Sequence, residues 1–427
     1  MIKVIGAGLA GAEAAYFLAS HGVETELVDM KPQKYTPAHT NENFCELVCS
    51  NSLKSNDVAG NACGLLKEEL RRMGSLTMRA AEETKVPAGG ALAVDREAFS
   101  AYVTRELRSL PALHIACREE TELPEEGIVA TGPLTSDALS NAIVRRFGDT
   151  LHFYDATAPV VTAESIDYTH AFVGDRYGKG TGDYVNCPMS KEEYNIFLDA
   201  LLGAERVTLR DFEKREIFEG CMPVEVMAAR GRETLAFGPL KPVGLADAYA
   251  VLQLRKENAA GTSYGLVGFQ TNLKFSEQKR VFSLIPALHR AEFERYGVMH
   301  RNTFLQSPEI LNADFSVKDQ PMLFFAGQIT GVEGYVESAA SGLLSAVHLY
   351  SKLRGKPARL PSAASVSGAL SEYIATPNKH FQPMNANYGI LAPLGKIKDK
   401  KEKKRLYAVR ALEEIEAFYA AAVSEEE

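Results

Sequence analysis

The sequence predicts an α/β fold in which the two ends of the chain build one parallel sheet and a smaller α+β domain is inserted between them. Three observations carry that expectation. The first is a strand–glycine turn–helix–strand string at the very start. The other two are later apolar strands, within 127–133 and 321–331, that each run out into glycine.

Residues 2–5 (IKVI) read as a short buried strand, followed at once by Gly6-Ala7-Gly8-Leu9-Ala10-Gly11. A helical pattern then passes through Ala14, Ala15, Phe17 and Leu18 to His21-Gly22. A second strand, roughly 24–28, ends on Asp29, 18 residues after the third glycine. Each part has a job in dinucleotide binding. The first glycine makes the tight turn, the second admits a pyrophosphate, the third lets helix and strand pack closely, and the acid can bind a ribose hydroxyl.

The two later strands decide which dinucleotide. Residues 127–133 (GIVATGP) carry Gly132, and residues 321–331 (PMLFFAGQITG) carry Gly327, Gln328 and Gly331, with a small-residue helix expected from about Ser338. Both are similar to flavoprotein elements in which a late strand returns to the nucleotide domain and its glycine turn meets the ribityl chain. With the opening string they point to FAD. They also require a discontinuous domain: 1–183 as its first part, 184–317 as the insertion, and 318–427 as its second part with a basic C-terminal segment.

Between these markers, residues 64–73 place Leu66, Leu70 and Met73 on one helical face, and 354–368 read as a linker. Residues 396–405 (KIKDKKEKKR) hold seven basic and two acidic residues, and an apolar-periodic helix follows through Val409, Leu412, Ile415 and Phe418.

Composition excludes several classes. With 427 residues, 46% hydrophobic and 24% charged, the chain can build a large core without staples, and it lacks the biases of collagen, coiled coil or disorder. Apolar runs such as 322–326 fall far short of the ~20 residues of a membrane helix, and no secretory signal opens the chain. Six cysteines are too few for a disulfide scaffold. The expectation is a cytoplasmic protein with no membrane association. A net charge of −8 disfavours a nucleic-acid partner unless basic residues gather on one face.

Candidate chemistry starts with cysteine. Cys45 and Cys49 are spaced C-x-x-x-C, but no second thiol or histidine cluster completes a metal site, so no metal is expected. A redox pair beside the flavin stays open. Cys221, in Phe218-Glu219-Gly220-Cys221-Met222-Pro223, stands just before a helix expected over 223–230 and stopped by Gly231. A thiol there feels the positive end of the helix dipole, which favours thiolate; the alternative is an ordinary buried cysteine. The run 87–96 (PAGGALAVDR) is either a ligand-approach loop or a turn. His300-Arg301-Asn302 could bind a ligand or lie solvated, and Tyr335 could stack on a flavin ring or pack in the core.

Taken together, these strings resemble one family, the folate- and FAD-dependent tRNA (uracil-5-)-methyltransferases. The resemblance spans nearly the whole chain: GAGLAGAEAA at 6–15, ELVCSNSLKS at 46–55, VPAGGALAVDR at 86–96, ATGPLTS at 130–136, NCPM at 186–189, FEGCMPVEVMA at 218–228, FGPLKPVGL at 237–245, YGVMHRNTF at 296–304, AGQITGVEGYVESAASG at 326–342 and FQPMNAN at 381–387. The larger flavoprotein that modifies wobble uridines shares the opening and the AGQ turn but lacks ELVCSNS and FEGCMP. It remains an alternative, beside a ribosomal-RNA uracil-5-methyltransferase and a plain FAD/NAD(P)H oxidoreductase.

The resemblance implies a Rossmann-like FAD-binding domain of the glutathione-reductase type, discontinuous and interrupted by the insertion. It implies that Gly6, Ala7, Gly8, Leu9, Ala10, Gly11, Asp29, Gly132, Gly327, Gln328, Gly331 and Tyr335 bind FAD. Asp29 falls where the family more often has glutamate, and Lys31 where it often has arginine. Cys221 matches the cysteine that attacks uracil and Cys49 the one that assists proton removal, with Glu337 a weaker candidate base; Cys45 and Cys63 match no family cysteine. The implied reaction takes a carbon from methylenetetrahydrofolate, releases tetrahydrofolate, uses NAD(P)H as reductant, and methylates a T-loop uridine of tRNA. The stretch 396–405 and Arg71, Arg72 and Arg79 are candidates for phosphate contacts.

Overall fold

The computed structural model describes residues 1–36, 38–148, 151–176, 182–207, 222–245, 247–357 and 359–424, and of 151–155, 300 and 301 the backbone alone. Both ends of the chain contribute to the first sheet. Its six strands lie in the order Ser316–Val317, Gln320–Phe325, Gly127–Val129, Ile2–Ile5, Thr25–Asp29, Leu113–Cys117. All pair in parallel except the first two. Parallel strands covered on both faces read as continuous apolar runs, which is why IKVI and MLFF are recognisable without alternation.

Register aligns the strand ends. Ile5 lies beside Val28 and Val129, and Val129 beside Phe325. The three turns after these strands, at Gly6, Ala130–Gly132 and Gly327, therefore lie side by side along the C-terminal ends of the parallel strands. The helix Leu9–Ser20 packs against the helix Tyr335–Leu353 at Gly342, where a Cβ would lie 2.1 Å from the Ala10 carbonyl oxygen. Only glycine permits that approach.

An antiparallel ladder, Leu151–Ala156 against Met299–Phe304, carries the chain out and back. Beyond it lies a second, antiparallel sheet with strands in the order Phe172–Gly174, Tyr184–Met189, Ala250–Lys256, Ser263–Leu266, Val160–Thr162, Phe293–Arg295. It has its own core, in which Phe269 packs against Phe197 and Phe282. The expected boundary at 183/184 thus falls inside this sheet, and Ser316–Val317, expected in the insertion, pairs in the first one. No change in composition marks 160 or 295, so the sequence held no local signal for either.

Other elements shift slightly. The helix expected over 64–73 runs from Ala62 to Arg72 with Leu66, Leu70 and Met73 buried. The helix expected over 223–230 spans Val224–Ala229, with Pro223 as its cap rather than its first residue. The 354–368 linker ends early, because the helix Val366–Ala375 starts inside it; the buried Glu69 carboxylate accepts the N–H groups of Val366 and Ser367. The expected small-residue helix begins at Tyr335, earlier than Ser338. In the helix Lys400–Val423, Ile415 and Phe418 are buried but Val409 is exposed, since the inner stripe runs through Ala408 and Ala411. Among the described residues no helix is long and apolar enough to cross a membrane.

Candidate functional site

The aligned turns enclose a cleft of about 1150 Å³. It is lined by Gly6, Ala7, Gly8, Leu9, Ala10, Asp29, Gly132, Gly327, Gln328 and Tyr335. A Cβ on Gly8 or Gly132 would meet no protein atom within 4 Å, so both positions open onto free space. The helix that starts at Leu9 has no side-chain cap and no acid in its first turn. Its first N–H groups and its positive dipole end are therefore available to an anion in the cleft.

Gly11 and Gly331, expected to touch the cofactor, do not line the cleft. A Cβ on Gly11 would sit 1.8 Å from the Gly6 carbonyl oxygen, so this glycine permits the turn to fold onto the helix. Gly331 has φ +86° and faces the Phe381 ring, which a Cβ would meet at 2.6 Å. Asp29 accepts the Ala7 N–H on Oδ2 at 2.8 Å and the Lys31 N–H on Oδ1 at 2.9 Å. Its carboxylate is held in place, each oxygen keeping a second lone pair.

Sequence reading gave no site role to Lys31, Glu46 or Arg118, all of which stand on the cleft wall. Lys31 is buried and donates to the carbonyls of Asn41 and Asn43. Arg118 forks onto Glu26 at 2.8 and 3.0 Å. Two signals were available: Lys31 follows Asp29 closely at a family arginine position, and Glu46 opens the ELVCSNSLKS string. Glu46 also lines a second, polar cavity of about 870 Å³, which Arg96 and Arg295 face.

Tyr335 combines a place on the cleft wall with a polar contact to the cysteine loop. Its ring lines the cleft, but its phenol oxygen accepts the backbone N–H groups of Cys49 at 2.8 Å and Ser50 at 3.2 Å. Burial, and next to it the Cys49 thiol, push its ionisation well above the ordinary tyrosine range. Cys49 is half-exposed, whereas Cys45, Cys63 and Cys187 are buried. Burial raises all three thiols, Cys187 to about 12, which keeps them neutral and unreactive. Cys221 lies outside the described residues. What is visible is the helix just after it: Val224 donates to the Gln270 carbonyl at 2.7 Å, and the buried Glu225 accepts from Thr271 and Asn272.

The remaining candidates divide. Glu337 is buried, with Oε1 accepting the Ala386 N–H at 3.0 Å and pairing with Lys54 at 3.5 Å. The side chains of His300 and Arg301 lie outside the described residues, and Asn302 is buried. The 87–96 run is a turn into the strand Ala91–Val94, and Gly89 donates to Asp183. Arg71 and Arg72 are tied to Glu82 and Glu416, and Arg79 covers the Tyr16 ring. Within 396–405, Lys404 donates to the Gly60 carbonyl and Arg405 pairs with Glu402, while Lys396, Lys398, Lys400 and Lys401 are exposed.

Comparison with known proteins agrees with this geometry. The family described as glucose inhibited division protein A matches residues 1–357. The chain is 56% identical over 431 residues to Methylenetetrahydrofolate--tRNA-(uracil-5-)-methyltransferase TrmFO of Desulfitobacterium hafniense, covering 98% of each. It is also 56% identical over 430 residues to the protein of that name from Geobacter sulfurreducens, covering 98% of this chain and 99% of the other. Among solved structures, Aquifex aeolicus GidA in its form II crystal superposes with a TM-score of 0.71 at 17% identity, over 99% of this chain and 74% of that one, a likeness of fold. With relatives this similar along nearly its whole length, the chain belongs to the methylenetetrahydrofolate--tRNA-(uracil-5-)-methyltransferase family.

Proposed function

We infer that the protein methylates carbon 5 of a uridine in tRNA, taking the carbon from methylenetetrahydrofolate with FAD as its redox cofactor. The observation that carries this reading is the cleft itself: an uncapped helix start at Gly8–Leu9 at one place on its wall and Tyr335, bound to the Cys49 loop, at another. The residues fit a flavin dinucleotide. The N–H groups at the start of the Leu9–Ser20 helix would hold the pyrophosphate, Asp29 a ribose hydroxyl, and Gly132, Gly327 and Gln328 the remainder. Bound FAD supplies the two-electron reduction of the transferred carbon.

The chain's own groups do the rest. Uracil carbon 5 becomes nucleophilic once a thiolate has added at carbon 6. Cys221 is assigned that addition. Cys49 is assigned removal of the carbon-5 proton, after which the carbon–sulfur bond breaks and the Cys221 thiolate leaves. The reading extends to a T-loop uridine as target, extruded at a cost of roughly a few kcal/mol, to NAD(P)H as reductant, and to the cytoplasm. Unpaired thiols at all five described cysteines fit a reducing compartment.

The test is Cys221→Ala. It should keep its flavin and transfer no methyl group. tRNA bearing 5-fluorouridine at the target should become covalently attached to the wild type only, because fluorine cannot leave as a proton does. Near wild-type methylation by Cys221→Ala would defeat the assignment.

A further inference from the structure

The loop that carries Cys49 is gripped from both halves of the molecule. On the side of the first sheet, Arg96 donates to the Leu47 carbonyl at 2.8 Å and Tyr335 holds Cys49 and Ser50. From the second sheet comes Arg255, on the strand Ala250–Lys256. Its Nε donates to Asn51 Oδ1 at 2.7 Å and its Nη2 to Ser50 Oγ at 2.8 Å. The amide nitrogen of Asn51, a fully buried residue, donates in turn to the carbonyls of Lys256 at 2.7 Å and Val94 at 3.0 Å. One asparagine thus ties the second sheet to the strand Ala91–Val94, with Arg255 fixing its other end.

A planar guanidinium with two donors engaged sets orientation as well as distance. Arg255 lines neither cavity, so it touches neither the cofactor space nor the polar chamber beside it. What it does touch is the pair of residues immediately after Cys49.

We propose that Arg255 is a positioning residue for Cys49: by holding Ser50 and Asn51 it sets the backbone that carries the thiol, so that Cys49 is aligned with its proton only while the second sheet is seated against this loop and the strand Ala91–Val94. The proposal rests on the assignment of proton removal to Cys49. It gives the insertion a part in the chemistry through a residue more than two hundred positions away in sequence. A misplacement of about 1 Å in such a group costs on the order of a hundredfold in rate.

The test uses the full-length, flavin-loaded enzyme as wild type, Arg255→Met, Arg255→Lys and Ser50→Ala. Ser50→Ala removes one of the two acceptors at a half-buried site and serves if Arg255→Met does not fold. Two quantities are read: steady-state methyl transfer to tRNA, and the rate at which iodoacetamide alkylates Cys49, followed by peptide mass spectrometry from about pH 6 to about pH 9. In Arg255→Met, kcat should fall on the order of a hundredfold with KM for tRNA within about threefold. Flavin content should hold and the Cys49 alkylation profile should move along the pH axis. Ser50→Ala should lie between, and Arg255→Lys should recover part of both.

Wild-type kcat with a wild-type alkylation profile in Arg255→Met or Ser50→Ala would overturn the proposal. So would loss of kcat together with flavin while Cys49 alkylates as before, the mark of a merely structural arginine. If the wild type itself transfers no methyl group, the functional reading falls instead, and the alkylation profiles still decide whether Arg255 positions Cys49.

Discussion

The phenol oxygen of Tyr335 accepts the N–H groups of both Cys49 and Ser50, although 286 and 285 residues separate the partners. Tyr335 is the first residue of a helix that also forms the wall of the cleft. The cofactor space and the cysteine loop therefore share one side chain, and a change at either is felt at the other.

Tyr335→Phe tests that link. The ring stays on the cleft wall, so flavin should remain bound, but two backbone donors lose their acceptor. Leaving such donors unpaired costs about 1–3 kcal/mol. A lower denaturation midpoint with slower methyl transfer is expected; unaltered stability and turnover would show that the bonds matter to neither.

Gly8 and Gly11 should separate binding from folding. A side chain at Gly8 enters open space in the cleft, whereas one at Gly11 meets the Gly6 carbonyl oxygen. Gly8→Val is expected to fold and purify colourless, and Gly11→Val to lose the fold. Absorbance and circular dichroism on the two proteins check this, and normal flavin content in Gly8→Val would contradict the pyrophosphate assignment.

Glu69 should make stability depend on pH. Burial outweighs its bonds to Val366 and Ser367 and raises its carboxyl from 4.5 to about 7. The folded state then binds more protons than the unfolded state between those values. Its contribution is full below about 4.5 and lost as pH rises through about 7, amounting to about 3 kcal/mol. Melting midpoints should fall across that window, and Glu69→Gln, which cannot ionise, should flatten the fall.

The basic segment divides by its partners. Lys404 and Arg405 are engaged within the protein, but Lys396, Lys398, Lys400 and Lys401 are exposed. Reversing these four to glutamate should weaken binding of any RNA. The slope of log affinity against log salt should shrink by roughly one for each phosphate no longer neutralised. An unchanged slope would leave the segment a solvated surface.

Local signals determined what the sequence could reveal alone. The Gly6–Gly11 turn, the acid ending the second strand, and the glycines closing 127–133 and 321–331 each follow from what a few neighbouring residues can do with their backbone. They placed nine of the residues that line the cleft. The family strings gave Cys49 and Cys221 their roles. Tertiary structure alone decided the rest, because it depends on where strand register carries distant segments. Nothing near Gly331 shows that Phe381 will occupy the space beside it. Nothing near Tyr335 shows that its phenol will meet Cys49 rather than a ring. The bridge from Arg255 to Ser50 and Asn51 joins the second sheet to a loop folded from a distant part of the chain. Such a bridge is set by the docking of two cores, and no periodicity or turn chemistry within either segment records it.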